Sequence, residues 1–148
     1  MSSESITVQL AQRRDYQFEL RFGGAVPPLL ADEPAPLGSG AGPSPVQLLA
    51  SAVGTCLSDS LLFALRKFKQ QPRPLQAEVS AQVGRNAEGR LRVLAMTARL
   101  NLGDPAESLE HLDRALAQFE SFCTVTQSVN AAIPVTVQVF DSLGVQLK

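Results

Sequence analysis

The chain has few of the residues that build metal sites and disulfide frameworks. Its 148 residues include two cysteines, one histidine and no tryptophan. A structural zinc site needs four ligands, usually cysteine and histidine, so Cys56, Cys123 and His111 are too few for one. In a reducing cytosol, Cys56 and Cys123 are not expected to form a permanent structural disulfide. We therefore expect no metal site, and the two thiols need another explanation.

An excess of charge of one sign is also missing. Thirteen Lys and Arg residues face 14 Asp and Glu residues, which leaves a net charge of −1. This balance offers no basic field to nucleic acid or to an anionic membrane. The stretch MSSESITVQL lacks the basic start and apolar run of a signal peptide, and Arg66, Lys67 and Lys69 close the longest apolar window. We expect a cytoplasmic protein that binds neither nucleic acid nor membrane.

What the chain does contain is typical of one globular domain, which we place at residues 1–148. Residues 6–11 (ITVQLA) and 16–22 (YQFELRF) alternate apolar and polar side chains around a polar break, QRRD, which predicts a hairpin. Residues 23–45 contain five Gly and six Pro, so we expect a loop without regular structure. A loop of this length is as consistent with a functional segment as with a connector.

A long helix is predicted to follow this loop. Ser44, Pro45 and Gln47 form a capping box with proline at the first helical position. Only Asp59 is charged in residues 45–60, so we expect a central helix that is buried nearly all round, until Pro72 and Pro74 end it. Its apolar positions recur at helical spacing: Leu49, Ala50, Val53, Leu57, Leu61, Ala64, Leu65 and Phe68.

The second half of the chain predicts two strands, a helix and a last strand. The strands are residues 75–85 and 89–102, the helix is 105–122 with a capping box at Asp104–Glu107, and the last strand is 133–140. The inner face of this helix consists of Leu109, Leu112, Leu116, Phe119 and Cys123, while His111 lies on its solvated face. The order ββ–α–ββ–α–β makes the fold class α+β.

The residues alone leave two hypotheses for the cysteines. Buried free cysteine is common, so inert packing is the simpler one. A working thiol must be a thiolate, and Cys56 lies about three turns inside its helix, where the amides are already bonded. A reactive Cys56 therefore needs a cation, which is best supplied by arginine. Cys123 lies at the carbonyl end of the 105–122 helix, which disfavours a thiolate, so in a redox pair Cys56 attacks and Cys123 resolves.

Two segments resemble the OsmC/Ohr family, the osmotically induced and organic hydroperoxide resistance proteins. They are GPSPVQLLASAVGTCLSDSLL (residues 42–62), which is similar to the central-helix signature, and FESFCTVTQSVNAAIPVTVQV (residues 119–139), which is similar to the second-cysteine segment. The resemblance implies an antiparallel sheet wrapped around a long buried central helix in an intertwined homodimer. It also implies active sites at the subunit interface.

The resemblance further implies a thiol-dependent peroxidase with no metal, haem or other cofactor. Cys56 is then the peroxidatic nucleophile and Cys123 the resolving thiol. An N-terminal arginine would hold the thiolate, and we choose Arg14 over Arg13 and Arg21. The substrates would be organic hydroperoxides or hydrogen peroxide, and the reductant a dithiol, in several such proteins a lipoyl group on another protein. Phenylalanines such as Phe63 and Phe122 either fill the core or line an apolar pocket for the substrate.

One departure from the family pattern favours a rival hypothesis. The family's glutamate, which helps to hold the arginine, is replaced here by Val46. Asp32 and Glu33 in the loop are candidates to replace the missing carboxylate. The rival is a non-catalytic dimer that binds a small molecule or serves in stress, and that has kept the fold without the reaction.

Overall fold

The computed structural model describes residues 2–148 and forms two compact units, Met1–Leu48 and Leu49–Lys148. The expectation of a single domain over residues 1–148 stays a prediction. The strands are β1 Gln9–Arg14, β2 Gln17–Arg21, β3 Leu29–Ala31, β4 Gln76–Arg85, β5 Leu91–Asn101 and β6 Val135–Phe140. The α-helices are α1 Pro45–Lys67, α2 Leu112–Gln118 and α3 Thr124–Val129, and 3₁₀ turns lie at Ala106–Ser108 and Phe119–Phe122.

The first unit contains an antiparallel sheet in the order β1-β2-β3. The predicted hairpin is confirmed, but its turn is shorter than the polar QRRD break suggested. Strand β1 continues to Arg14, which pairs with Gln17 across the turn. Asp15 makes this tight turn with a φ of 49°. A β-bulge between Gln12 and Arg14 shifts the register of the two strands.

The Gly- and Pro-rich loop is not free of regular structure, contrary to our expectation. Strand β3 lies inside it and pairs with β2. The prolines at 27 and 28 precede the strand and none lies within it, so the amides of β3 can pair. Beyond β3 the loop folds back closely: a Cβ at Gly42 would collide with the carbonyl oxygen of Leu30. Glycine is required there by the approach of the two backbones.

Helix α1 begins as predicted. The amide of Ser44 donates to Gln47 Oε1 at 2.9 Å, and the amide of Gln47 donates to Ser44 Oγ at 3.3 Å. These two bonds are the reciprocal pair of a capping box. At the other end Lys69 has a φ of 59°, and the helix stops after Lys67, before the predicted proline breakers.

The second unit contains the sheet β4-β5-β6. Strands β4 and β5 are antiparallel, as expected, but β6 runs parallel to β5, with Met96 paired to Val135. The predicted antiparallel sheet is therefore wrong for this strand. The helical segment between β5 and β6 returns the chain to the starting end of β5, which is the connection that a parallel pair needs.

One side of α1 packs into the core of the second unit, while its other side is exposed. The expectation of a helix buried nearly all round is thus wrong. The core includes Val53, Leu57, Leu61 and Leu65 of α1, Met96, Ala98 and Leu100 of β5, and Leu112, Leu116 and Phe119. An 18-residue window of α1 has a mean hydropathy of 1.7, so by length and composition alone the helix is apolar enough to cross a membrane, contrary to our expectation. A core helix of a globular protein has the same composition, and 39% of this window is buried.

The predicted helix over residues 105–122 is broken into three pieces, so this boundary was wrong. His111 has a φ of 57° and precedes α2 rather than lying within a helix. Its ring stacks on Phe68 at 5.2 Å between centroids, and the amide of Glu110 donates to Gln70 Oε1. Asp104 does not cap the segment, because its carboxylate accepts the amide of Arg73. These contacts from the segment that follows α1 override the local helix signal.

Candidate active site

Helix α1 carries Cys56 at a point where it lies very close to the sheet. A Cβ at Gly54 would lie 2.8 Å from Val79 Cγ2 on β4, so only glycine allows this approach without a shift. Cys56 follows one half-turn later, is partly buried, and packs against the core. Its position is therefore set by the contact between the helix and the sheet.

Cys123 is fully buried and lies at a junction of two helical segments. We expected Cys123 to lie at the carbonyl end of a helix. It does follow the 3₁₀ turn, but it also forms the N-cap of α3. Its thiol donates to Thr126 Oγ1 at 3.0 Å and accepts the amide of Thr126 at 3.4 Å. Burial raises the pKa of Cys123, the neighbouring Cys56 thiol raises it further, and the two hydrogen bonds with Thr126 only partly oppose this. Cys123 therefore remains a protonated thiol at neutral pH.

The structure brings the two predicted cysteines together. The Cys56 thiol is a direct neighbour of the Cys123 thiol, and it acts on the pKa of Cys123 through a side-chain interaction. Both cysteines are free in this structure. Two adjacent thiols can be oxidised to a disulfide, whereas isolated core cysteines cannot.

A cavity of about 330 Å³ opens beside Cys56. Its walls are Cys56, Asp59, Ser60, Phe63 and Phe122. The two phenylalanine rings meet edge to face at 5.6 Å, yet Phe63 is 55% exposed and Phe122 is 42% exposed. Of the two hypotheses for these phenylalanines, the structure favours the apolar pocket over the core.

The arginines of the first unit differ in their partners. Arg13 and Arg21 both form ion pairs with the carboxylate of Glu19. Arg14 forms no ion pair within residues 2–148, and its Nε donates to Gln17 Oε1 at 3.4 Å. A cavity of about 550 Å³ lies against Arg13, Arg14, Gln17 and Glu19. Among the three candidates, Arg14 is thus the one whose charge no carboxylate in the described residues neutralises.

Asp32 does not contact Arg14 directly, so it is not a simple substitute for the missing glutamate. Its carboxylate accepts the amides of Glu33, Ser39 and Ala41 and the hydroxyl of Ser39. The Ala41 amide and the Ser39 hydroxyl are the main causes that lower the pKa of Asp32 to about 2, while burial opposes them. Glu33 makes no ion pair within the described residues.

Sequence reasoning missed Gln17 and Thr126. Gln17 is buried and its amide nitrogen donates to Asp32 Oδ2 at 3.4 Å, so it connects Arg14 with Asp32. Gln17 faces Arg14 because the turn occupies only positions 15 and 16, which the polar QRRD break did not indicate. Thr126 follows Cys123 by three residues, the spacing of an N-cap contact. Within residues 2–148 no group of three or more metal-binding side chains converges.

Comparison with known proteins decides the family. A sequence profile described as OsmC-like protein matches residues 38–138, which include both cysteines and most of the secondary structure. The chain belongs to the OsmC-like family. The family assignment made from the two motifs is thereby confirmed. No sequence among the curated proteins matches the chain.

Solved structures agree with the OsmC-like fold. An OsmC-like protein from Mycoplasma pneumoniae has a TM-score of 0.78 at 12% identity, over 95% of this chain and 99% of the other. An OsmC-like protein of unknown function from Vibrio cholerae has a TM-score of 0.77 at 15% identity, over 93% and 100%. An organic hydroperoxide resistance protein from Elizabethkingia anophelis has a TM-score of 0.74 at 13% identity, over 95% and 99%. At these identities the likeness establishes the fold, which is α+β as predicted.

Proposed function

We propose that this OsmC-like protein is a thiol-dependent peroxidase that reduces organic hydroperoxides in defence against oxidative stress. The observation that carries the proposal is the direct neighbourhood of the Cys56 and Cys123 thiols. The family and the neighbour named for organic hydroperoxide resistance support the same general role. Val46, at the position of the family's glutamate, is the residue that favours the alternative hypothesis of a non-catalytic dimer.

In the first step the Cys56 thiolate attacks the distal oxygen of the hydroperoxide ROOH. The O–O bond breaks, Cys56 becomes a sulfenic acid, and the alcohol ROH leaves after it takes up a proton. The peroxide is reduced by two electrons and the sulfur is oxidised by two. The apolar cavity beside Cys56 supplies room for the organic group R, with Phe63 and Phe122 as its walls.

In the second step Cys123 attacks the sulfenic sulfur of Cys56. The S–S bond forms and water leaves, with its oxygen from the sulfenic acid and its protons from the two sulfur groups. Burial keeps Cys123 protonated until this step, which preserves it as the resolving thiol. An external dithiol then reduces the disulfide and becomes a disulfide itself. We propose a protein-bound lipoyl group as one such dithiol.

A reactive Cys56 needs a cation, and we propose Arg14 for this role. Its guanidinium is not paired with a carboxylate in residues 2–148, whereas Arg13 and Arg21 share Glu19. Since arginine stays protonated even when partly buried, Arg14 stabilises a thiolate at every physiological pH. No metal or organic cofactor takes part in this scheme.

We also propose that the protein is a cytoplasmic homodimer, as the family resemblance implies. Large apolar side chains are exposed at the far end of the β4–β5 pair, where Val83, Leu91 and Leu94 are each about half exposed. Such a cluster of exposed apolar residues is typical of a surface that another chain covers. Light scattering after size exclusion tests this proposal, and a mass of one chain would contradict it.

Stopped-flow kinetics test the proposed reaction. The reduced protein is mixed with cumene hydroperoxide or hydrogen peroxide, and loss of thiol is followed for the native chain, Cys56→Ser and Cys123→Ser. Fast oxidation that disappears in Cys56→Ser and persists in Cys123→Ser is the expected result. A native rate equal to that of free cysteine would overturn the proposal and favour the non-catalytic rival.

A further inference from the structure

A chain of hydrogen bonds in the first unit links Arg14 to a buried carboxylate. Arg14 Nε donates to Gln17 Oε1, and Gln17 Nε2 donates both to Asp32 Oδ2 at 3.4 Å and to Ser39 Oγ at 3.1 Å. Gln17 is 7% exposed and Asp32 is 2% exposed. Only the side chain of Gln17 therefore separates the Asp32 carboxylate from the Arg14 guanidinium.

The bulge in β1 produces this arrangement. Residues that face each other across an antiparallel pair lie on one face of the sheet, so Gln12 shares a face with Phe18, and Arg14 shares a face with Gln17. Without the extra residue, Arg14 would fall on the same face as Gln12. A β-bulge is a common device for redirecting a side chain at a functional site.

The Asp32 end of this series of hydrogen bonds is rigidly anchored. Asp32 is held by the amides of Glu33, Ser39 and Ala41, and its neighbour Gly38 admits no Cβ because the Asp32 carboxylate and the Glu33 backbone lie against it. Because Gln17 Nε2 donates to two oxygens on this anchored loop, its Oε1 is directed away from the loop, and there it accepts Arg14 Nε.

We propose that Gln17, anchored by Asp32 and Ser39, positions the Arg14 guanidinium and takes over the task of the family's glutamate, whose place is occupied by Val46. This inference rests on the proposed function, because it assigns a role to Arg14 in the same reaction. Gln17 is a positioning residue and touches no reacting atom.

The arrangement has a chemical consequence for Arg14. A carboxylate that holds an arginine also neutralises part of its charge, whereas an amide oxygen holds it without doing so. Glu19 forms ion pairs with the other two arginines, Arg13 and Arg21, so these two do not compete with Arg14 for an incoming anion. The guanidinium of Arg14 is thus directed and still fully available to an anion.

The test compares Gln17→Met with Gln9→Met. Methionine matches glutamine in length but cannot form the bridge, and Gln9 is an exposed β1 residue without a side-chain hydrogen bond in residues 2–148. We expect Gln17→Met to lower the rate of Cys56 oxidation by cumene hydroperoxide at pH 7 by about tenfold, the effect of one lost hydrogen bond to a charged group. The rate–pH curve should also move to higher pH. Gln9→Met should match the native protein in both respects.

Ser39→Ala and Arg14→Ala complete the set. Ser39 is exposed, so Ser39→Ala is expected to fold even if Gln17→Met does not, and it should lower the rate about threefold by loosening Gln17. If Arg14→Ala is slow but Gln17→Met and Ser39→Ala are as fast as the native chain, this inference is overturned and the proposed function stands. If the native chain reacts no faster than free cysteine, both are overturned.

Discussion

The thiol of Cys56, in the middle of α1, is a direct neighbour of the thiol of Cys123, which caps α3. The two cysteines lie far apart in the sequence and belong to different structural elements. Their meeting depends on the close contact of α1 with β4 at Gly54 and on the hydrogen bonds that hold Cys123 to Thr126. This pair is the basis of the first prediction.

The first prediction concerns the oxidised product. One equivalent of cumene hydroperoxide should convert the reduced protein to a Cys56–Cys123 disulfide within a single chain, since the two thiols are already adjacent. Peptide mapping by mass spectrometry measures this. In Cys123→Ser the sulfenic acid has no partner, so dimedone should label Cys56. Oxidised chains linked only to one another would contradict the assignment of Cys123 as the resolving thiol.

The second prediction concerns the raised pKa of Cys123. In the unfolded chain a thiol ionises near pH 8.5, whereas the buried Cys123 keeps its proton to higher pH. The folded state therefore binds more protons above pH 8.5, and the stability that Cys123 contributes is present below that pH and is lost as the pH rises. Urea unfolding under reducing conditions should show that the native chain's advantage over Cys123→Ala shrinks between pH 8 and about pH 10. A constant difference would contradict the raised pKa.

The third prediction concerns Asp32, whose pKa is lowered to about 2. Its contribution to stability is complete above the ordinary carboxyl range near pH 4 and is lost as the pH falls towards 2. The amide signals of Ser39 and Ala41, which donate to Asp32, should therefore titrate by NMR with a midpoint of about 2. In Asp32→Asn these signals should not titrate in this way. A midpoint near 4 would mean that the loop does not hold the carboxylate.

The parts of the fold that could be predicted from the sequence are those that local sequence patterns determine. The α1 capping box, the β4–β5 pair and the buried face with Leu112, Leu116 and Phe119 follow local patterns, and they are confirmed. The break at His111 was not predictable, because it is caused by contacts with Phe68 and Gln70, which follow α1 and are distant in the sequence. Local patterns record what a segment favours, but not what a distant segment imposes on it.

The candidate site likewise combines residues that sequence patterns indicate with contacts that only the folded chain creates. The residues alone left Cys56 and Cys123 open between inert packing and a redox pair, and only the motif resemblance favoured the redox pair. The contact of Gln17 with Asp32 depends on a loop of Gly and Pro that has no periodicity to interpret. Register and bulges, as at Arg14, are likewise properties of strand pairing and not of one strand. The hydrogen bonds that join Arg14, Gln17 and Asp32 were therefore not predictable from the sequence.

The fourth prediction concerns Gly54. An alanine there places its Cβ 2.8 Å from Val79 Cγ2, and valine is too stiff at χ1 to turn away freely. We expect Gly54→Ala to lower the free energy of unfolding by about 1–3 kcal/mol, even though alanine favours helix. Urea denaturation of Gly54→Ala, Val79→Ala and the double variant should show that Val79→Ala relieves much of this cost. A stabilised Gly54→Ala chain would mean that the contact is loose.

The fifth prediction returns the family's glutamate to this chain as Val46→Glu. If Gln17 already positions Arg14, a carboxylate at position 46 adds little, and the rate of oxidation by cumene hydroperoxide should change by less than about twofold. In the Gln17→Met background the same substitution should restore most of the lost rate, because a carboxylate then holds Arg14 in place of the amide. The comparison of these two effects in stopped-flow kinetics is a double-mutant cycle.

Val46→Gln is the matched control for this cycle, since glutamine has the size of glutamate without its charge. Position 46 lies in the first turn of α1, where a negative charge also stabilises the helix by about 0.3–1 kcal/mol. That effect raises the unfolding temperature in both backgrounds equally, so it cannot produce a rescue confined to Gln17→Met. A large rate increase from Val46→Glu in the native background would instead mean that Arg14 is poorly held there, and that Gln17 does not do the work of the glutamate.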